Sequence, residues 1–338
     1  MTRTLVVTLC LALASCGEGG SPGADTDVQM DTEAEPDQAT DPVTDPWLDP
    51  VTEVPGDPAE EFDPAACEPF AAGLNSGFMV DGTARQFYLD LPEGAEFGGP
   101  WPVIFNWHGM GDTAANMRLL LSGEVDSPVM PFILVTPEDT GFSLLGLPVD
   151  WYVHEVNDGN MEVRLFDEVL SCLDYRWGVN WDHVHSVGFS MGGFVTDALG
   201  TVRGEVVASL VTYSGAYGCN DANTAGSVLA GVISWPEYSV TNPYAQILAH
   251  GGTADVYDLV LETLHFDDFA RNDAAFLNER GHDVIVCDHG GGHTVPVDLR
   301  GPVLVRFFAD HPLGTADSPY STGLPTEFPG YCTFQGAL

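Results

Sequence analysis

The sequence predicts an α/β fold, a mostly parallel central sheet with helices on both faces. Three observations carry this. Short apolar runs closed by turn residues alternate with stretches of helical period, as in parallel sheets with crossover helices. The alternation starts only after residue 66, beyond a leader of quite different composition. One of the apolar runs ends in "GFSMGG", which sets a serine between glycines where a strand should meet a helix.

The first segment, "MTRTLVVTLCLALASCGEGG", has one arginine, an apolar run over residues 5–14 and then Leu13-Ala14-Ser15-Cys16. Too short to span a bilayer, it suits an export signal of residues 1–15. Its last four residues look like a bacterial lipobox, with Cys16 as the lipidated first residue of the mature chain. Gly17 after it resembles lipoproteins passed on to the outer membrane. The expected location is therefore the outer membrane or exterior of a Gram-negative bacterium. Contact with membrane is expected only through lipid on Cys16.

Residues 17–66 hold fifteen Asp or Glu and no Lys or Arg. Such a stretch buries too little apolar surface to offset the entropy of ordering, so residues 16–66 read as a disordered spacer. The formal net charge is −40, and −25 remains once those fifteen acids are set aside. There is no lysine. Nucleic acid is excluded as a partner, because phosphate contacts need Lys and Arg. A monomeric catalytic domain is expected over residues 67–338, ample for one α/β core.

Within it, "RQFYLDLP" (85–92) alternates like an antiparallel edge strand. "PVIFNWHG" (102–109) and "FILVTP" (132–137) read as buried parallel strands. "MEVRLFDEVLSCL" (161–173) has helical period, "DHVHSVGF" (182–189) is the next strand, and a helix starts at Met191. Residues 206–216, 245–255 and 282–293 each begin as a strand and end in small residues. A helix closed by Gly281 lies between the last two, and a final helix over 300–312 stops at Pro312. Catalytic groups in such sheets belong at the C-terminal strand ends.

Gly188-Phe189-Ser190-Met191-Gly192 satisfies the nucleophile-elbow pattern in its required strand–turn–helix setting. A serine nucleophile needs a base, and the base needs an acid to fix its tautomer. Asp255 and His293 each follow a predicted strand, giving the chain order Ser, Asp, His of an α/β-hydrolase. Asp258 is the competitor for the acid and His289 for the base. The paired His183 and His185 could begin a metal site, but no third ligand is evident and they precede the elbow at the wrong end of the strand. His108 is read as ordering its loop, Trp107 as core, and Trp151 as a possible substrate contact.

The quoted segments "HGMGD", "GFSMGG", "HGGTAD" and "GGGHTVP" resemble the exported polyhydroxybutyrate depolymerase and feruloyl or acetylxylan esterase-like proteins. The resemblance covers nearly all of the globular part. It implies a serine carboxylic-ester hydrolase with Ser190 as nucleophile, Asp255 as acid and His293 as base, needing no cofactor and no metal. Two backbone N–H groups, of Met191 and Met110, would form the oxyanion hole. The sequence "TADVYDLV" departs from the family, which has Pro and Val soon after its acid. The partner implied is an ester, polymeric or small: a feruloyl, acetyl or hydroxyalkanoate ester. An acyltransferase or peptidase could use the same triad, and a catalytically inactive binding module could share the fold.

Beyond Cys16 there are five cysteines, Cys67, Cys172, Cys219, Cys287 and Cys332. An odd count in an exported protein implies two bridges and one free thiol. Cys172, on the apolar side of a helix, is expected to be the free one. The segment between the strands near Tyr213 and Gln246 is broken by Gly and Pro and has no long amphipathic helix. No large lid is expected over the site.

Overall fold

Alternation of side chains along the central strands decides the architecture. Val103, Phe105, Ile133 and Val135 belong to one apolar cluster, whereas Ile104 and Leu134 belong to another on the opposite face. Both faces must therefore be covered. The computed structural model of the chain describes residues 63–144, 146–227, 231–259, 262–315 and 318–336. The expected signal peptide, most of the expected spacer and Cys16, the expected lipidation site, lie outside the described residues.

After a short helix α1 (Pro64–Cys67), the chain forms β1 (Gly73–Val80), β2 (Thr83–Asp90) and β3 (Trp101–Trp107). Short α2 (Ala114–Met117), β4 (Ile133–Pro137) and the hairpin strands β5 (Phe142–Leu144) and β6 (Leu147–Asp150) precede α3 (Met161–Trp177). Next come β7 (Val179–Phe189), α4 (Met191–Val202), β8 (Ser209–Tyr213), α5 (Asp221–Thr224) and β9 (Ala245–His250). A second hairpin, β10 (Val256–Asp258) and β11 (Thr263–His265), leads into α6 (Phe266–Asn278). The domain closes with β12 (Asp283–Asp288), α7 (Pro302–Asp310) and β13 (Cys332–Gln335).

The nine-stranded sheet runs β1-β2-β4-β3-β7-β8-β9-β12-β13. Its centre, from β4 to β12, is parallel, and antiparallel pairs close both edges. Residues of α3 and α4 pack on one face, with Phe166, Leu170, Phe194 and Leu199 buried. On the other face α7 inserts Leu304, Val305, Phe307 and Phe308. Each such fully buried side chain contributes about 1.5–3 kcal/mol relative to exposure. The helices begin and end on local chemistry: Asn160 accepts the N–H groups of Glu162 and Val163 at the start of α3. Gly281, at φ 90°, follows α6 where the left-handed region is needed.

Three expectations are corrected. The 85–92 strand is not the edge: β2 pairs with both β1 and β4, and β1 takes the edge. The 282–293 strand, which His293 follows, is not the last in the chain, because β13 adds antiparallel to β12. Cys172 is not free. Helix α1 packs beside α3 and delivers Cys67 to it, forming Cys67–Cys172 with Cα atoms 5.0 Å apart. The second bridge, Cys287–Cys332, ties β12 to β13, and Cys219 is the free thiol among the described residues. Burial pushes that thiol up to about 11, so it is little ionised at neutral pH. Two bridges mark a chain matured in an oxidising compartment.

Candidate active site

The parallel strands β7, β9 and β12 all present their C-terminal ends on one side of the sheet, and the three chemical residues emerge from the loops there. Ser190 joins β7 to α4 at φ 54° and ψ −120°, a conformation costly for a residue with a side chain. Its surroundings over-determine it. A Cβ on Gly188 would lie 1.9 Å from the Gly192 carbonyl oxygen, and one on Gly192 would lie 2.2 Å from that of Trp107. Only glycine fits at either position, so the turn closes tightly and holds Ser190 at the tip.

His293 Nε2 lies 2.9 Å from Ser190 Oγ, and His293 Nδ1 lies 2.7 Å from Asp255 Oδ1. The carboxylate accepts at Nδ1, which leaves Nε2 of the neutral ring as the acceptor toward the serine hydroxyl. Asp255 is fully buried. Its Oδ2 accepts from Ser214 Oγ at 2.7 Å and from the Gly251 N–H at 2.8 Å. Burial alone would raise the Asp255 pKa, but the bonds from His293, Gly251 and Ser214 outweigh it. The carboxyl therefore sits below its ordinary value and stays ionised. The His293 ring stacks on Phe266, with centroids 4.6 Å apart, and Phe189 tilts against it at 4.9 Å.

The structure brings these three residues together, and the two competitors make other bonds. Asp258 is exposed and accepts from Thr263 Oγ1 in the β10–β11 hairpin. His289 Nδ1 accepts from the N–H of Gly291 in its own loop. His185 is buried, shares Nδ1 with Ser209 Oγ at 2.9 Å and packs on Phe308, which is a core role.

Loop residues 108–112, after β3, abut the elbow. A Cβ on Gly109 would lie 3.3 Å from the Phe189 carbonyl oxygen. Met110 is thus carried beside the turn that holds Ser190 and Met191. Trp151 is corrected: it is fully buried, so it offers no surface to a substrate. Its indole N–H donates to the His108 carbonyl at 2.8 Å and thereby props the loop from within. Asp150, held at φ 65°, accepts from the Gly111 N–H at 2.6 Å and props the other end. Trp107 is core, edge-on to Trp151.

Sequence reasoning missed Ser214, Asp150 and Phe266. Ser214 had a signal, a small residue directly after buried β8, next to the elbow strand. Between β8 and β9 the described residues contain only the four-residue α5, and no large lid is present. Part of that segment is fastened elsewhere: Ser234 bridges to Glu155, and the Trp235 indole donates to the Val153 carbonyl.

No family model matches the chain. It is similar to feruloyl esterase D of Neurospora crassa, 24% identical over 243 residues that cover 63% of this chain and 75% of the relative. Probable feruloyl esterase C of Aspergillus terreus is 21% identical over 243 residues, 71% of this chain and 80% of that one. Among solved structures, native sOPH matches with a TM-score of 0.60 at 18% identity, over 80% of this chain and 97% of its own. Native pOPH gives 0.61 at 17% identity, over 79% and 95%. Likeness at that level speaks to fold, and it agrees with the sheet order and the helical layers described above. The fold is thus that of an α/β-hydrolase, and the sequence similarity to two proteins named feruloyl esterases supports carboxylic ester hydrolysis.

Proposed function

We propose that the protein is a serine esterase in which Ser190, His293 and Asp255 act as a catalytic triad. The observation that carries this is the unbroken relay from buried Asp255 through His293 to a serine held at positive φ. Ser190 Oγ attacks the ester carbonyl carbon while His293 Nε2 takes its proton. Asp255 keeps the Nδ1–H tautomer and stabilises the imidazolium that forms. The N–H groups of Met191 and Met110 receive the developing oxyanion. Collapse breaks the bond to the alcohol oxygen, which leaves with the proton from His293. Water then attacks the acyl-enzyme, His293 takes its proton, and the acid departs as Ser190 is restored.

The relatives named feruloyl esterases support a feruloyl ester as substrate, an acetyl ester would undergo the same chemistry, and a site with no large lid among the described residues leaves room for a sugar or polymer on the alcohol side. A poly(hydroxybutyrate) chain fits the same description. The test is labelling by a fluorophosphonate, followed by turnover on methyl ferulate, acetylated xylan, polyhydroxybutyrate and p-nitrophenyl acetate. Labelling at Ser190 and hydrolysis of at least one of these, both abolished in Ser190→Ala, are expected. Wild-type turnover by pure Ser190→Ala protein would remove the assignment.

A further inference from the structure

His108 begins the loop that carries Met110, yet its own ring is fully buried. Nδ1 lies 2.9 Å from the Gly109 carbonyl oxygen, which can only accept, so Nδ1 carries the hydrogen. A neutral ring then presents Nε2 as a bare lone pair, and no hydrogen bond satisfies that atom. Two carboxylates face it, Glu138 Oε1 at 3.4 Å and Asp139 Oδ2 at 3.5 Å. A lone pair between two anionic oxygens is repulsive unless a cation lies among them. The separations are too long for a charge-assisted N–H···O bond, which closes to about 2.7–2.9 Å. They do match the edges of a coordination tetrahedron, since bonds of about 2.1 Å give edges of about 3.4 Å.

We propose that His108 Nε2, Glu138 and Asp139 form a binding site for a divalent first-row metal ion, with zinc the best fit. An imidazole ligand favours zinc over calcium or magnesium, which take oxygen. The three donor atoms lie within 4.8 Å of one another, close enough to share one ion. The Gly109 carbonyl on Nδ1 is the outer bond that orients a metal-ligating histidine. Side-chain exposures of 29% for Glu138 and 18% for Asp139 leave an entry path from solvent. Three protein ligands leave one position for water. The ion would pin the start of the 108–112 loop to the residues after β4, adding to the hydrogen bond from Trp151. A second cluster, His265, Asp267 and Asp268, is already balanced by Arg271, which bonds to both carboxylates.

The test is isothermal titration of the tag-free, EDTA-treated full chain with zinc chloride at neutral pH, with melting curves in parallel. One tight zinc per chain is expected, with a rise in Tm. In the Glu138→Gln/Asp139→Asn double variant, affinity should fall at least 100-fold and the Tm response disappear. Circular dichroism in EDTA checks that the variant is folded; if it is not, Asp139→Asn alone carries the same expectation. The proposal is overturned by no stoichiometric uptake, by uptake unchanged in the variants, or by uptake lost only in His265→Ala.

Discussion

Ser214 offers the sharpest test of how the acid is held. Its hydroxyl donates to Asp255 Oδ2 at 2.7 Å, inside a site where that carboxylate is fully buried. A hydrogen bond to a charged group contributes about 1.5–3 kcal/mol. If all of this appeared in the barrier, Ser214→Ala would slow kcat/KM by about 10- to 150-fold. Two features reduce it. The Gly251 N–H still holds the same oxygen, and a carboxylate relieved of one donor attracts the imidazolium more strongly. A loss of about 3- to 30-fold is therefore expected, against about 10⁴ for Asp255→Asn, which would hold the wrong histidine tautomer.

Backbone strain separates position from hydroxyl. Ser214 sits at φ 52°, so Ser214→Gly should lose the same activity yet be more stable than Ser214→Ala by about 1 kcal/mol. The assay is kcat/KM on a soluble p-nitrophenyl ester across pH, with urea melts of all three proteins. Activity within twofold of wild type alongside a lowered midpoint would show that Ser214 is only structural. A loss as deep as that of Asp255→Asn would show that the carboxylate moves without it.

Asp197, on α4, is fully buried and its Oδ2 lacks a partner; burial, with help from Asp273, holds its pKa well above the ordinary value. The folded state thus keeps a proton that the unfolded chain gives up above about pH 4, and stability falls as pH rises from there. In Asp197→Asn, the slope of Tm against pH should flatten. Removing the Cys67–Cys172 bridge, which spans 105 residues, should cost about 4–5 kcal/mol on the chain-entropy account, read as a lowered urea midpoint. Alkylation mapping before reduction should find Cys219 and none of the four bridged cysteines. Esters from acetyl to butyryl should outrun those of palmitate length, because a site without a large lid buries little of a tail worth about 0.8 kcal/mol per CH₂; a maximum at long chains would reveal an acyl tunnel. If the lipobox reading holds, mass spectrometry of the mature N-terminus should find a lipidated Cys16, and Cys16→Ala should release the protein from membranes.

The parts of the fold that were legible are those in which a strong local pattern coincides with a global role. β3, β4, β7, β8, β9 and β12 are central strands buried on both faces, so each reads as an apolar run. Ser190, Asp255 and His293 were legible because each stands just past such a run among small residues. β1 was not legible, because a register shift between Ser76 and Phe78 breaks its alternation. β13 is four residues at the end of a long irregular stretch, too short to carry a period. The apolar face of α3 correctly marked Cys172 as buried, but burial says nothing about which residue meets it. That depended on α1, one turn long, started by Pro64 and capped by Asp63. Trp151 and Asp150 were invisible as supports because their partners are backbone atoms some 40 residues away.

The positions of the proposed acid and base, Asp255 and His293, are set by the sheet before their side chains meet. β9 and β12 run parallel in a register that puts His250 opposite Asp288. The pairing continues past the strand ends, as the His289 N–H donates to the His250 carbonyl and the Gly292 N–H to that of Gly251. A Cβ on Gly251 would lie 2.0 Å from the Gly292 carbonyl oxygen, so the two loops touch backbone to backbone with no side chain between. Four residues after Gly251 the chain reaches Asp255, and one after Gly292 it reaches His293. The 2.7 Å contact between them is therefore an extension of the strand ladder. Precision of this kind is what a triad requires, since displacement by about 1 Å can cost 10²-fold in rate. The glycines of "HGGTAD" and "GGGHTVP" carry that precision, and they are also the residues that made the two loops conspicuous in the sequence.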